Sequence, residues 1–282
     1  MKANRAGDRM KKIRLIATDL DGTLLQDDHM TVSERNKQAL KRASEAGVEI
    51  VIASGRTWAV LSKVAKDLGL ARYALISNGA SVVDVSTGEF LFHKNIPFEE
   101  WAPIYEYLKE LGYPFCLYCD GESYMEASVA DAFHNPTLSK GFVADLKSRA
   151  NVVDKLTIAL KHKGIEKFSV LYVDKEKYEQ VCEKLATFGK VQLTSSLPYN
   201  VEINAMGADK GGGLKTLSRQ LGISREEVMA FGDAENDLSM LEWACWSFAM
   251  GNATESVKKA AKYVTKTNME DGIAEAVNKF FN

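Results

Sequence analysis

The feature that most constrains the fold is a regular alternation of short β-rich runs with helical segments in the first and last parts of the chain. Apolar runs at residues 13–18, 48–53 and 73–76 are each followed by a turn or by a segment with helical periodicity, and the alternation resumes after residue 200. Strands that alternate with helices pair in parallel, with helices on both faces of the sheet. The sequence therefore predicts an α/β fold with a doubly wound, Rossmann-like parallel sheet as its core.

Between these two parts the pattern changes. Residues 81–85 and 89–92 flank a Ser-Thr-Gly turn and predict a β-hairpin instead of another parallel unit. The mixed strands and helices that follow span about a hundred residues, the size of a small domain. We therefore expect an N-terminal extension at residues 1–11, a core formed by residues 12–83 and 196–282, and an inserted α/β cap domain at residues 84–195.

The composition excludes several classes of protein. Hydrophobic residues make up 46% and charged residues 26% of the chain, which is ordinary for a globular protein and argues against disorder. Thirty-six Lys and Arg against 38 Asp and Glu give a net charge of -2, which does not favour binding to nucleic acid or to an anionic membrane. No apolar run approaches the roughly 20 residues of a membrane span. We expect a cytoplasmic protein that is a monomer or a weak homodimer.

The cysteines and histidines show no spacing typical of a metal site. Cys116 and Cys119 form the one close cysteine pair, in an aromatic run that predicts a strand, where residues three apart face opposite sides. No second pair and no nearby histidine completes a zinc site. The four histidines are scattered along the chain. We interpret these residues as core or surface residues.

Reactive side chains follow each strand of the first part. Asp19 and Asp21 come directly after the first predicted strand, Ser54 and Gly55 after the second, and Asn78 after the third. In an open α/β sheet, ligands bind beyond the carboxyl ends of the strands. Two carboxylates two positions apart on an extended segment point the same way, which predicts a cation or a shared proton between them. The Ser-Gly turn predicts a cradle of backbone N–H groups for an anion.

The last part of the chain supplies a lysine and a second acidic cluster. Lys210 precedes three glycines at the predicted start of a helix, where its ammonium and the backbone N–H groups can hold a phosphate. Asp233, Asn236 and Asp237 follow another strand, and Asp233 and Asp237 can face one point as the chain enters a helix. Mg²⁺ takes oxygen ligands and prefers a substrate phosphate in its shell. Together, these strand ends predict a site for Mg²⁺ and a phosphate.

In chain order, the string DLDGT, the Ser-Gly-Arg turn, the lysine before glycine and the string GDAEND resemble the four motifs of the haloacid dehalogenase superfamily. The place of the insertion and the segment AMGNATESVKKAAKYVT resemble the Cof-type, capped sugar-phosphatase-like hydrolases. The resemblance runs from Lys12 to the end of the chain. It implies a Mg²⁺-dependent phosphatase that hydrolyses a small phosphorylated metabolite, such as a sugar phosphate, through an aspartyl-phosphate intermediate.

The resemblance also implies the roles of individual residues. Asp19 would be the nucleophile, and Asp21 would act first as general acid and then as general base. Lys210 would neutralise Asp19 and the phosphoryl group. The other residues implied to contact the phosphate are Ser54, Gly55, Asn78 and Asn236. The residues implied to hold or support Mg²⁺ are Asp19, the backbone carbonyl of Asp21, Asp233 and Asp237.

Three alternatives remain open at this point. A phosphomutase or other phosphotransferase on the same fold would pass the phosphoryl group to a hydroxyl and release no inorganic phosphate. Against a signalling module stand Asp21 and the large insertion, and against a noncatalytic protein stands the presence of every proposed catalytic side chain. The substrate is not predicted, and Tyr118, Tyr124, His134 and Lys140 of the insertion are candidates to contact its leaving group.

Overall fold

A computed structural model describes residues 13–130 and 140–281, which form one sheet of eight strands and one of six. In chain order, the strands are β1 Leu15–Asp19, β2 Glu49–Ala53, β3 Tyr73–Ile76, β4 Ser81–Asp84, β5 Phe90–His93, β6 Phe115–Cys119, β7 Glu122–Glu126, β8 Asn151–Val153, β9 Lys167–Val170, β10 Val191–Thr194, β11 Val201–Ala205, β12 Val228–Gly232, β13 Trp246–Ala249 and β14 Tyr263–Val264.

The helices connect these strands and cover the sheets. In chain order, they are α1 Glu34–Glu45, α2 Trp58–Leu68, α3 Phe98–Leu111, α4 Ala127–Ala130, α5 Lys140–Ser148, α6 Leu156–Ala159, α7 Tyr178–Ala186, α8 Lys210–Gln220, α9 Leu238–Trp243, α10 Glu255–Ala260 and α11 Gly272–Val277. Within the described ranges, no helix combines the length and the apolar character that a bilayer span requires.

The larger sheet has the strand order β14-β13-β12-β1-β2-β3-β4-β5, and its strands from β14 to β3 are parallel. The chain winds outward from β1 in one direction through β2 and β3, and in the other direction through β12 and β13. This arrangement confirms the predicted doubly wound core. It also leaves a crevice where the winding reverses, between β1 and β12, which is where open α/β sheets bind their ligands.

Both faces of the larger sheet are apolar, which explains the uninterrupted hydrophobic runs of its strands. On β1, Leu15 and Ala17 pack in one cluster, which includes Leu214 of α8, while Ile16 packs in the cluster on the opposite face, which includes Leu40 of α1. Because helices cover both faces, polar side chains of the core strands can reach a ligand only at the strand ends.

Strand pairing corrects both predicted boundaries of the cap. Strand β4 pairs antiparallel with β3, and β5 pairs with β4, so the predicted hairpin extends the larger sheet and does not begin the insertion. The sequence predicts β11 as a strand of the core, but it pairs with β9 and β10 in the smaller sheet. The physical reason is that a strand's sequence shows which of its faces are buried but not which strand it pairs with. Below, the cap means residues 94–206; the predicted extension at residues 1–11 lies outside the described ranges.

The six-stranded sheet of the cap has two unlike faces. Its apolar face packs against helices α3 and α7 in a cluster that includes Trp101, Phe168 and Leu185. Alternate positions on the strands place Lys167 and Glu202 on the other face, where both contact loops of the core. Cys116 and Cys119 are buried free thiols in separate apolar clusters on the two faces, which agrees with their prediction as packing residues.

Candidate active site

The loop after β1 brings the first motif against the loop after β12. Residues Leu20–Leu24 form an irregular turn after Asp19, in which Asp21 is extended, with a φ of -82° and a ψ of 123°, and Gly22 has a φ of 77°. A side chain at Gly22 would overlap the carboxylate of Asp233, so only glycine permits this approach. Thr23 Oγ1 donates a hydrogen bond to Asp233 Oδ1 at 2.7 Å. The first and last acidic motifs are therefore joined directly.

Lys210, the first residue of α8, lies at the centre of the site. Its side chain is fully buried, and its ammonium donates hydrogen bonds to Asp19 and, at 2.6 Å, to Asp237. Burial lowers the pKa of Lys210, but the charges of Asp19 and Asp237 outweigh burial and raise the pKa above its ordinary value. Lys210 is therefore held as a cation between two carboxylates.

The glycines after Lys210 do not form the anion cradle that the sequence predicted. The N–H of Gly211 donates to Ser239 Oγ at 3.0 Å, and the N–H of Gly212 donates to the N-cap side chain of Asp209 at 2.8 Å. The first-turn donors are thus occupied within the protein. The glycines instead allow α8 to pack closely against Ser239 and Gly79.

Asp19, Asp233 and Asp237 form a cluster in which one carboxylate oxygen of each residue lies within 4.8 Å of the other two. Burial, followed by the charge of Asp237, raises the pKa of Asp233 to about 6. Burial and the charge of Asp237 likewise raise the pKa of Asp19, against the opposing effect of Lys210. A single lysine does not neutralise the carboxylates of two buried aspartates and one half-buried aspartate, so this donor set fits a divalent cation with oxygen ligands.

Asp237 also holds its neighbours in this cluster in place. Its Oδ1 accepts from Lys210, while its Oδ2 accepts the backbone N–H groups of Asp233 at 2.9 Å and Ala234 at 3.0 Å. The side chain therefore fixes both the loop that carries Asp233 and the ammonium that neutralises Asp19.

Asp21 is not part of this cluster and has partners of its own, whereas the sequence predicts that Asp19 and Asp21 face the same way. Both oxygens of Asp21 accept hydrogen bonds from Arg56, at 2.9 and 2.5 Å, and His29 Nδ1 lies 2.9 Å from Oδ1. The irregular turn at Leu20–Leu24 interrupts the strand after Asp19, so the two aspartates are not successive positions on one face of a strand. Burial raises the pKa of Asp21, but the hydrogen bonds and charges of His29 and Arg56 outweigh it and lower the pKa overall.

Three of the residues predicted to contact a phosphate, Ser54, Asn78 and Asn236, are buried next to one another. Ser54 is buried, and its Oγ accepts the backbone N–H of Arg56 at 3.1 Å. Asn78, in the left-handed region with a φ of 62°, donates from Nδ2 to Glu202 of the cap at 2.9 Å. Asn236 Nδ2 lies 3.4 Å from Asn78 Oδ1. Asn78 thus links the core site to the cap.

Sequence reasoning missed several residues that this geometry brings into the site. The counter-charge of Asp21 is Arg56, which the sequence places in the Ser-Gly-Arg turn. Lys167 could be noticed in the sequence because it is a lysine within the buried strand β9. Its Nζ donates to Gly55 O at 2.7 Å. The residues missed are Thr23, His29, Arg56, Lys167 and Glu202.

The structure describes the side chains of two of the four cap residues predicted as substrate contacts, and it places those two on opposite faces of the cap sheet. The ring of Tyr118 lies 4.7 Å from Lys167 Nζ, on the face towards the core. Tyr124 packs against the apolar cluster on the opposite face, away from the site. His134 and the side chain of Lys140 lie outside the described part of the structure.

Comparisons with known proteins agree with this geometry. A family model of haloacid dehalogenase-like hydrolases matches residues 16–277. The chain is 31% identical over 265 residues to the 5-amino-6-(5-phospho-D-ribitylamino)uracil phosphatase YcsE of Bacillus subtilis, with 94% of each chain covered. It is 32% identical over 280 residues to phosphatase YwpJ of the same organism, covering 93% of this chain and 98% of YwpJ.

Solved structures show the same fold over nearly the whole chain. A haloacid dehalogenase-like hydrolase from B. subtilis superposes with a TM-score of 0.82 at 30% identity, covering 94% of this chain and 99% of the other. The subclass IIB sugar phosphatase BT4131 superposes with a TM-score of 0.80 at 28% identity, covering 95% and 98%. The family match, these relatives and the shared fold confirm the resemblance seen in the sequence: the chain belongs to the haloacid dehalogenase superfamily, among its Cof-type phosphatases.

Proposed function

We propose that this phosphatase is Mg²⁺-dependent and hydrolyses a small phosphorylated metabolite through an aspartyl phosphate on Asp19. The observation that carries the proposal is the buried contact of Lys210 with Asp19, beside the carboxylates of Asp233 and Asp237. A buried carboxylate with a fixed cation beside it is suited to receive a phosphoryl group, because the cation offsets the charge of both partners.

In the first step, a carboxylate oxygen of Asp19 forms a bond to phosphorus while the bond from phosphorus to the leaving-group oxygen breaks. The leaving oxygen takes a proton from Asp21, so the products are an alcohol and an acyl phosphate on Asp19. Lys210 and the Ser54 turn hold the transferring group. The pairing of Asp21 with Arg56 keeps its carboxyl in one place for this proton transfer.

In the second step, water attacks the phosphorus of the acyl phosphate and gives its proton to Asp21. The bond between phosphorus and Asp19 breaks, which releases inorganic phosphate and restores the carboxylate.

The carboxylates of Asp19 and Asp233 would hold Mg²⁺, together with the backbone carbonyl of Asp21. When bound, Mg²⁺ supplies positive charge that offsets the phosphoryl oxygens and the acidic cluster. Asp237 acts by holding Lys210 and the Asp233 loop.

For the substrate we propose a phosphomonoester of a sugar or a related polyol. Two kinds of relative support this class: YcsE is named for a substrate with a phosphorylated ribityl chain, and BT4131 is named as a sugar phosphatase.

The test is a screen of phosphorylated metabolites for release of inorganic phosphate, with Mg²⁺ and with excess chelator. The panel contains sugar phosphates, 5-amino-6-(5-phospho-D-ribitylamino)uracil, pyridoxal phosphate, nucleotides and p-nitrophenyl phosphate. We expect Mg²⁺-dependent release of phosphate and alcohol in equal amounts. Alcohol formed without inorganic phosphate would instead indicate transfer to a second hydroxyl, and absence of both products would overturn the proposal.

A further inference from the structure

Lys167 is a buried cation of the cap that touches the catalytic core. It begins β9, its side chain is 1% exposed, and its Nζ donates to Glu202 Oε1 at 2.6 Å and to the backbone oxygen of Gly55 at 2.7 Å. The ring of Tyr118 lies 4.7 Å from the same ammonium. Removing such an ion pair from water is costly, so its position against one particular carbonyl of the core calls for an explanation.

The carbonyl that Lys167 binds belongs to the turn predicted to hold the phosphate. The C=O of Gly55 and the N–H of Arg56 are parts of one planar peptide unit, so fixing the oxygen also fixes the N–H. That N–H donates to Ser54 Oγ at 3.1 Å. Lys167 therefore acts, through one peptide plane, on the direction of the Ser54 hydroxyl.

The same peptide plane contains the N and Cα atoms of Arg56. The side chain of Arg56 binds both oxygens of Asp21. A rotation of the plane would move the guanidinium and, with it, the carboxyl that transfers protons. The partner of Lys167 reaches a second core loop, since Glu202 Oε2 accepts from Asn78 Nδ2 at 2.9 Å. One ion pair of the cap thus contacts two core loops, one at Gly55 and the other at Asn78.

We propose that Lys167, paired with Glu202, is a positioning residue of the phosphatase reaction: it sets the Ser54-Gly55-Arg56 turn so that Ser54 meets the phosphoryl group and Arg56 holds Asp21. The proposal rests on the proposed function, because it assigns Ser54 and Asp21 the tasks given above. Lys167 acts through the turn and not on the substrate, since two acceptors and an aromatic ring already surround its ammonium.

The principal variant is the double substitution Lys167→Met with Glu202→Gln, which removes the bond to Gly55 without leaving a buried charge unpaired. The milder double substitution Lys167→Gln with Glu202→Gln serves where the first lowers the folded fraction, because an amide can still donate. Lys163→Met is the matched control: Lys163 is another cap lysine, half-exposed and paired with Asp120 at 2.8 Å.

Two substrates separate positioning from a structural effect. p-Nitrophenyl phosphate has a leaving group that needs little protonation, whereas glycerol 2-phosphate has one that needs a proton. We expect the principal variant to lose about 10²-fold in kcat on the alkyl ester, as for a misplaced catalytic group, and clearly less on the aryl ester. The milder variant should lose less on both, and Lys163→Met should match the wild type. Equal losses on both esters, in step with the folded fraction, would overturn the proposal.

Binding of inorganic phosphate in the presence of Mg²⁺, measured by calorimetry, gives a readout that does not need turnover. We expect weaker phosphate binding in the principal variant than in the wild type and in Lys163→Met. If the wild type releases no phosphate from any ester, the proposed function fails, and this comparison still judges the positioning of the turn. Unchanged phosphate affinity in a folded variant would count against Lys167 in either case.

Discussion

Arg56 holds Asp21 by both carboxylate oxygens, with Nε 2.9 Å from Oδ2 and Nη2 2.5 Å from Oδ1. Asp19, two residues earlier, has a different cation, the ammonium of Lys210. The two aspartates of one motif are thus separated by their counter-ions: one lies in the acidic cluster and the other lies outside it with Arg56 and His29. Different surroundings support different tasks, and the first two predictions test that difference.

Asp19→Asn should abolish both turnover and covalent labelling of the protein, because an amide does not readily form an acyl phosphate. Phosphate release and intact-mass measurement after mixing with p-nitrophenyl phosphate check this. Asp67→Asn, at an exposed position on α2, is the matched control and should behave as the wild type. A phosphorylated Asp19→Asn protein would show that the nucleophile lies elsewhere.

Asp21→Asn should leave the nucleophile in place and remove proton transfer, an effect worth about 10²–10⁴-fold. With p-nitrophenyl phosphate, formation of the acyl phosphate should suffer less than its hydrolysis, because this leaving group needs little protonation. The phosphorylated enzyme should therefore accumulate. Rapid-quench mass measurement followed by peptide mapping should locate the label on Asp19. A label on another residue, or undiminished steady-state turnover, contradicts the assignment.

Activity should require Mg²⁺, and Ca²⁺ should inhibit. Asp19 belongs to the acidic cluster and is also the proposed nucleophile. Ca²⁺ accepts more oxygen ligands at longer distances than Mg²⁺, so it favours coordination by both oxygens of a carboxylate and would occupy the attacking atom. Phosphate release is measured with chelator, with Mg²⁺ restored, and with rising Ca²⁺ at fixed Mg²⁺. Full turnover in excess chelator would remove the metal from the proposal.

The strand ends that carry the site were predictable because the physics behind them is local. A buried strand shows as an apolar run, and polar residues directly after it must lie at the carboxyl edge of a parallel sheet. The sequence alone therefore predicts that Asp19, Ser54 and Asp233 lie at one edge of the sheet. The ordered motifs also carried the family, which the comparisons confirm.

What the sequence did not predict depends on contacts between distant segments. The partner of β11 is β9, and nothing within the strand itself indicates a pairing with the cap instead of the core. The partners of Asp21 depend on the irregular turn at Leu20–Leu24, which the expectation of a continuous extended segment missed. Lys167 lies 112 positions from Gly55, so the contact between them is set by how the cap lies on the core.

Glu126 offers a pH-dependent test of the cap that is independent of catalysis. This buried carboxylate of β7 accepts from Lys109 at 2.6 Å, from the hydroxyl of Tyr105 at 2.5 Å and from the backbone N–H of Leu156 at 3.0 Å. Burial raises the pKa of Glu126, but these donors outweigh burial and bring the pKa below the ordinary 4.5. The folded protein therefore holds this carboxylate ionised at a pH where the unfolded chain already takes up a proton.

The stabilisation from Glu126 should accordingly be complete above pH 4.5. It should be lost as the pH falls through the lowered pKa that Glu126 has in the folded protein. Glu126→Gln should lower the free energy of unfolding at neutral pH by about 1–3 kcal/mol, since buried donors lose a charged acceptor. The gap between variant and wild type should narrow as the pH falls below 4.5. Urea unfolding at neutral and acidic pH measures this gap, with Glu179→Gln on the exposed side of α7 as control. A gap that is independent of pH would show that the ionised form of Glu126 is not what stabilises the cap.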